Sequence, residues 1–203
     1  MTEREKMLSG ESYNANDELL VAERERCKEL CYDYNHLRPS QCAERDELLR
    51  ILLGRCGDTL TIEPSIWFDY GYNIEVGENF YSNHNLVILD GAKVSFGDNV
   101  FIAPNCGFYT ASHPIDVSQR NRGIESALPI TVGDNVWIGA GVTVLQGVAI
   151  GDNSVIGAGS VVVKSIPANS VAFGNPCRVI RGIDVNNERS LYTIEKPKYP
   201  ITE

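Results

Sequence analysis

Between residues 130 and 177 the chain divides into blocks of six: ITVGDN, VWIGAG, VTVLQG, VAIGDN, SVIGAG, SVVVKS, IPANSV and AFGNPC. The third residue of each of the first six blocks is aliphatic (Val132, Ile138, Val144, Ile150, Ile156, Val162), and Gly follows at 133, 139, 151 and 157. A period of six fits neither an α-helix (3.6) nor an isolated amphipathic strand (2). It fits a chain that lays down a short strand, turns, and lays down the next, with one aliphatic side chain per block facing a common axis. Gly, Asn and Asp at the block ends suit sharp turns, because they tolerate positive φ. The pattern predicts an all-β solenoid, a parallel β-helix built on hexapeptide repeats.

Upstream the period changes twice. After Asn14, Asn16 and Asp17, which are good capping residues, Leu19, Leu20, Val21, Ala22, Arg24, Cys27, Leu30 and Cys31 form an apolar stripe with charges interleaved. Ser40, behind Pro39, is expected to cap a second helix whose buried side is Leu48, Leu49, Leu52 and Leu53. This helical part serves as a cap over one end of the coil, as a substrate lid, or as both. From Thr59 short β-prone pieces alternate with Gly/Asn/Asp turns, and the hexads are ragged before Val94. Phe96, Ile102 and Phe108 then fall six apart, and a further 24 positions reach Val132, so the register survives the interruption between them.

That interruption, SHPIDVSQRNRGIESALP, is polar, lacks an inward aliphatic pattern, and is expected to leave the coil. The predicted organisation is a helical region over 1–57, the β-helix over 58–183 with an excursion loop at 112–129, and a polar tail over 184–203.

Composition narrows the function classes. The chain has 203 residues, 43% hydrophobic and 22% charged, which is ordinary for a globular protein. No apolar run approaches the ~18 residues of a membrane span. The opening MTEREKMLSGE has no apolar stretch of the export type, and the six cysteines are scattered. Reduced thiols in a cytoplasmic protein are the expectation. Cys27 and Cys31 have helical spacing, but a metal pair would need more Cys or His close by. A net charge of −9 argues against nucleic acid as a general partner.

Candidate chemistry is sparse. Of the three histidines, His36 lies in the helical region and His84 among turn residues. His113 stands where the coil gives way to the loop. Imidazole is the usual general base near neutral pH; the alternative is a surface histidine at a loop start. The glycines are turn glycines at the hexad period and make no phosphate-loop fingerprint. Lys164, Arg178 and Arg181 cluster toward the C-terminal end of the repeat, as a phosphate site or as ordinary solubility charges.

Residues 1–183 resemble the maltose and galactoside O-acetyltransferase group of the hexapeptide-repeat acyltransferase family. The resemblance is carried by MTEREKMLSGESYNAND, LCYDYN, WFDYGYNIEVGENFYSNHN, TASHPID, the run PITVGDNVWIGAGVTVLQGVAIGDNSVIGAGSVV, and GNPCRVIR. It implies a left-handed coil, a homotrimer with sites between subunits, acetyl-CoA as donor and a sugar as acceptor, with no metal, nucleic acid or membrane involved. His113 matches the catalytic histidine, and Glu125 the position of a glutamate close to it in maltose-type enzymes. Otherwise Glu125 is a solvated loop carboxylate. The backbone N–H of Ala140 matches the oxyanion donor.

Asp69 and Asn83 match sugar contacts, and Asp17 joins them, although NANDELL is shorter than the family pattern. Galactoside-type members carry serine at the Asp69 position, so this chain leans toward the maltose and glucose type. Trp137, Gly139, Ala158, Lys164, Arg178 and Arg181 match the coenzyme A side. Competing readings are a hexapeptide acetyltransferase with a non-sugar acceptor, such as an antibiotic or serine, and a non-catalytic β-helix scaffold.

Overall fold

The computed structural model describes residues 1–183; the predicted tail over 184–203 lies outside the described residues. The first two helices start where side chains satisfy the first free N–H groups. Thr2 and Glu5 close a capping box on α1 (Glu3–Ser9), and Gly10 ends it in the left-handed conformation. Asp17 accepts the N–H groups of Leu19 and Leu20 and opens α2 (Glu18–His36). The third helix, α3 (Cys42–Leu52), corrects one expectation: its capping residue is Gln41, and Ser40 lies exposed in the preceding turn. Gln41 Oε1 accepts the Arg38 N–H at 2.9 Å, which holds that turn and starts the helix later.

Helices α2 and α3 bury Cys27, Cys31, Tyr34, Leu49 and Leu52 in the same core cluster as the inward strand residues. Their role toward the coil is therefore that of a cap.

From Leu60 the chain winds through about six turns of a left-handed parallel β-helix. A five-stranded sheet contains Ile66–Phe68, Leu86–Leu89, Gly107–Tyr109, Thr143–Leu145 and Val161–Val162. A four-stranded sheet contains Ile74–Glu75, Val94–Phe96, Ile130–Val132 and Ala149–Ile150. The seven-stranded third sheet begins at Leu60–Ile62 and ends with Ser170–Phe173 paired antiparallel to Arg178–Gly182. The aliphatic at each third place stacks on its counterpart one turn away: Val132 beside Ile150, Ile138 beside Ile156, Val144 beside Val162. All six are at most 1% exposed.

One corner records the length of each turn. Asn79, Asn99, Asn135, Asn153 and Asn169 all take φ of 54–56°, and each Nδ2 donates to the next Oδ1 at 3.1–3.2 Å. The sequence step along this ladder is 20, then 36, 18 and 16 residues. The hexads are ragged before Val94 because a turn there is two residues longer than the 18 of the regular part. The extra residues lie in bends 69–73 and 90–93, where the five-stranded sheet passes to the four-stranded one. The excursion leaves the next turn at this same corner.

The excursion is more ordered than its polar sequence predicts. Strands Ala111–Ser112 and Ile124–Ala127 form an antiparallel hairpin around α4 (Val117–Asn121). A third strand comes from the region predicted to be helical: Tyr13–Asn14 pairs with Ile124–Ala127. Two residues carry no periodic signal, and this strand exists because the hairpin edge offers backbone groups that need partners.

Candidate active site

The hairpin decides what His113 meets. Ala111 pairs with Ala127 and Ser112 with Ser126, so the next positions across the hairpin are His113 and Glu125. His113 Nε2 lies 3.8 Å from Glu125 Oε1, within reach of charge but beyond a hydrogen bond. The histidine side chain is 57% exposed and the glutamate 22%. On the other edge Tyr13 pairs with Glu125, and its hydroxyl donates to Glu125 Oε2 at 2.8 Å. Burial raises the Tyr13 hydroxyl far above its ordinary pKa, and the Glu125 charge raises it further. It therefore stays a donor.

Glu125 and Tyr13 also line a cavity of about 200 Å³, together with Ala15, Asn16, Arg24, Asp69 and Tyr70. Arg24 reaches in from α2; its Nη1 donates to the Tyr70 hydroxyl at 2.7 Å and its Nη2 to the Ala15 carbonyl at 2.6 Å. Burial pushes the Asp69 carboxyl up, while the Arg24 charge opposes the shift and Glu125 adds to it. The cavity thus presents two carboxylates, a guanidinium and two phenols, a set suited to several hydroxyl groups of one small polar ligand.

The remaining sequence candidates lie elsewhere. Asp17 does not line the cavity, and its carboxylate is occupied at the start of α2. Asn83 sits at a different corner, between the seven- and five-stranded sheets, where its Oδ1 accepts the His84 N–H at 2.7 Å. That corner forms a column: Asn105 N–H bonds His84 O, Gly141 N–H bonds Pro104 O, and Gly159 N–H bonds Ala140 O. Ala140 and Ala158 therefore share the corner of Asn83 rather than that of His113.

A Cβ on Gly139 would come within 2.6 Å of the Ala158 nitrogen, so glycine there lets successive turns close. Trp137 projects outward from the seven-stranded sheet, 45% exposed. Lys164 is exposed at the corner of the excursion, and Arg178 and Arg181 are exposed on the final strand. Among the described residues no group of three or more His, Cys, Asp or Glu is arranged to hold a metal. No helix among them is long and apolar enough to cross a membrane.

Sequence reasoning passed over Tyr13, Arg24 as a cavity residue, and the buried Asp90. Asp90 had one signal, a lone acid in the apolar run VILDGAKV. Tyr13 had none, since its partner is 112 positions away.

Residues 6–57 match the family model of the maltose acetyltransferase hexapeptide capping motif, and residues 129–164 that of the bacterial transferase hexapeptide, six repeats. A Saccharomyces cerevisiae protein that carries an acetyltransferase name is 57% identical over 180 residues, covering 88% of this chain and 92% of its own. The crystal structure of a maltose O-acetyltransferase from Clostridium difficile 630 superposes with a TM-score of 0.89 at 56% identity, over 91% of this chain and 98% of that one. The chain belongs to the maltose and galactoside O-acetyltransferase group of the hexapeptide-repeat acyltransferases.

This acetyltransferase is also similar to a galactoside acetyltransferase in complex with coenzyme A, with a TM-score of 0.90 at 43% identity over 96% of this chain and 97% of that one. A hexapeptide-repeat acetyltransferase of Vibrio cholerae complexed with acetyl coenzyme A gives 0.84 at 37% identity, over 91% and 100%. The capping-motif match spans α2 and α3, which close the coil, and includes both Tyr13 on its short strand and Arg24 on α2, which line the cavity of this acetyltransferase.

Proposed function

We propose that this acetyltransferase transfers the acetyl group of acetyl-CoA to a hydroxyl of a mono- or disaccharide, of the maltose and glucose type, with His113 as general base. The observation that carries the reading is the linked set Tyr13, Glu125 and His113 beside a cavity that also holds Asp69 and Arg24. The imidazole takes the proton of the sugar hydroxyl as that oxygen attacks the thioester carbonyl. The tetrahedral oxyanion is met by the Ala140 N–H, a donor that is part of the backbone and needs no side chain. Collapse breaks the carbon–sulfur bond, and the imidazolium returns its proton to the departing thiolate. Glu125 supports the transient charge on the ring. A thioester is already activated, so a base, an oxyanion donor and positioning are sufficient.

The candidates occupy two corners of the prism. His113, Glu125 and Asp69 stand at one; Asn83, Ala140 and Ala158 stand at the other. One chain does not bring the two sets together, which favours a homotrimer in which each site uses one corner of one subunit and the other corner of its neighbour. Exposed Ile115 and Val117, on the excursion just past His113, are apolar surface that such a neighbour would cover. In this arrangement Trp137, Gly139 and Ala158 flank the pantetheine arm, and Lys164, Arg178 and Arg181 meet the phosphates of coenzyme A. Asn83 joins Asp69 at the acceptor, and Asp17 supports the acceptor wall from the start of α2.

Thiol release from acetyl-CoA in the presence of glucose, maltose or a galactoside, measured in parallel, tests the reading. Sugar-dependent turnover with glucose or maltose above the galactoside is expected. Turnover only with amino or serine acceptors would overturn it.

A further inference from the structure

Asp90 lies in the bend 90–93, directly beneath the bend that carries Asp69, and is fully buried. Its Oδ1 accepts the backbone N–H of Asp69 at 3.0 Å and that of Tyr70 at 2.9 Å. Its carbonyl accepts Asn73 Nδ2 at 2.7 Å. One residue thus ties both ends of the widened bend 69–73 to the turn below. Asp69 and Tyr70 line the cavity, whereas Asp90 does not. Its Oδ2 is buried without a hydrogen-bond partner among the described residues. Two N–H groups need only one acceptor oxygen, and a second, unpaired one is a cost to the fold.

We propose that Asp90 is the positioning residue of the acceptor subsite: by gripping the Asp69–Tyr70 backbone, it aims the Asp69 carboxylate and the Tyr70 hydroxyl at the sugar. The proposal rests on reading the cavity as the acceptor subsite. Burial first, with the Asp69 charge adding, pushes the Asp90 carboxyl up to about 7. Near neutrality it therefore passes from acid to carboxylate, and its two N–H bonds become charge-assisted and tighter. The groups facing it are Asp69 and Tyr70 on the bend and the Cys27 and Cys31 thiols of α2. Arg24 and Lys28 act on it through Asp69.

Saturation kinetics in sugar and in acetyl-CoA from pH 6 to 8.5 test this on the full chain, comparing wild type with Asp69→Ala, Asp90→Asn, Asp90→Ala and the double alanine variant. Asp90→Ala is expected to raise the sugar KM about tenfold, the loss of an ordinary hydrogen bond or two, with the acetyl-CoA KM unchanged. The rise should largely disappear in the Asp69→Ala background. Asp90→Asn keeps an acceptor oxygen without the charge. It should hold a sugar KM near that of wild type at pH 6 and lose the fall that wild type shows as the pH passes about 7.

An Asp90→Asn variant with the wild-type pH profile overturns the proposal, even if Asp90→Ala does not fold. So does a KM rise shared equally by sugar and donor, or one additive with Asp69→Ala. If Asp69→Ala raises the sugar KM and Asp90→Ala does not, the Asp90 role alone falls. If Asp69→Ala has no effect, the acceptor reading of the cavity falls with it.

Discussion

The Tyr13 hydroxyl donates to one oxygen of Glu125 at 2.8 Å, while the other oxygen of that carboxylate stands 3.8 Å from His113 Nε2. A single carboxylate is thereby held by the N-terminal segment and turned toward the loop histidine. Since Tyr13 and Glu125 also pair through their backbones, the side-chain bond fixes a rotamer on a frame that is already rigid. The donor sits on a strand rather than a loop, and it is 2% exposed.

Replacing Tyr13 with Phe keeps the buried ring and deletes the donor. Glu125 would then lose its orientation without losing its charge. A fall in kcat of about tenfold is expected, the worth of one hydrogen bond to a charged group, with the acetyl-CoA KM near that of wild type. Steady-state kinetics beside a thermal melt would check this; an unchanged kcat would detach Tyr13 from the reaction.

Removing the imidazole is the harsher change. His113→Ala should lower acetyl transfer by roughly 10²–10⁴-fold, the usual contribution of a general base. Its oligomeric state by sedimentation should equal that of wild type, because the ring is more than half exposed in the single chain. Glu125→Gln keeps an acceptor for Tyr13 and removes the negative charge, so its loss should be smaller than that of His113→Ala. Turnover of His113→Ala at the wild-type rate would exclude the histidine.

The asparagine ladder makes a stability prediction that is independent of the chemistry. Asn135 holds φ of 56°, accepts from Asn99 and donates to Asn153. Ala would meet the left-handed penalty of about 1–2 kcal/mol and lose ladder bonds worth about 0.5–1.5 kcal/mol each. Asn135→Gly escapes the first of these costs. Urea unfolding should therefore rank wild type above Gly and Gly above Ala. If the Gly and Ala variants were equally unstable, the backbone conformation would not be the source of the loss.

The coil was legible because one kind of residue does one thing at one interval. Val132, Val144 and Ile150 each face the axis, and their neighbours in sequence repeat the task. The longer early turns blurred that signal: two added residues at 69–73 and 90–93 shift every later position without altering composition. His113 and Glu125 were legible through motif resemblance, and the hairpin register explains why they meet. Tyr13 and Arg24 were not, because the side chains they bond to lie 112 and 46 positions away and leave no local period. Ser40 failed as a cap for the opposite reason. Its local pattern was right, but the turn ahead of the helix is held by Gln41.

The buried Asp90 should leave a mark on stability as a function of pH. Its carboxyl is raised from 3.8 to about 7 in the folded chain, chiefly by burial. The folded state then binds the proton more tightly than the unfolded state, opposite to the usual behaviour of a paired aspartate. Between about pH 4 and about 7 the native chain carries the extra proton, so the contribution of Asp90 to unfolding free energy falls as the pH rises through that window and is flat above it. Asp90→Asn cannot ionise and should not show this term. Asp69, also raised by burial, is present in both proteins. Urea midpoints for wild type and Asp90→Asn at pH 5, 6, 7 and 8 should therefore shift in favour of the variant from pH 5 to about 7 and level off by pH 8. Parallel curves would mean that Asp90 keeps an ordinary acidity in the folded chain.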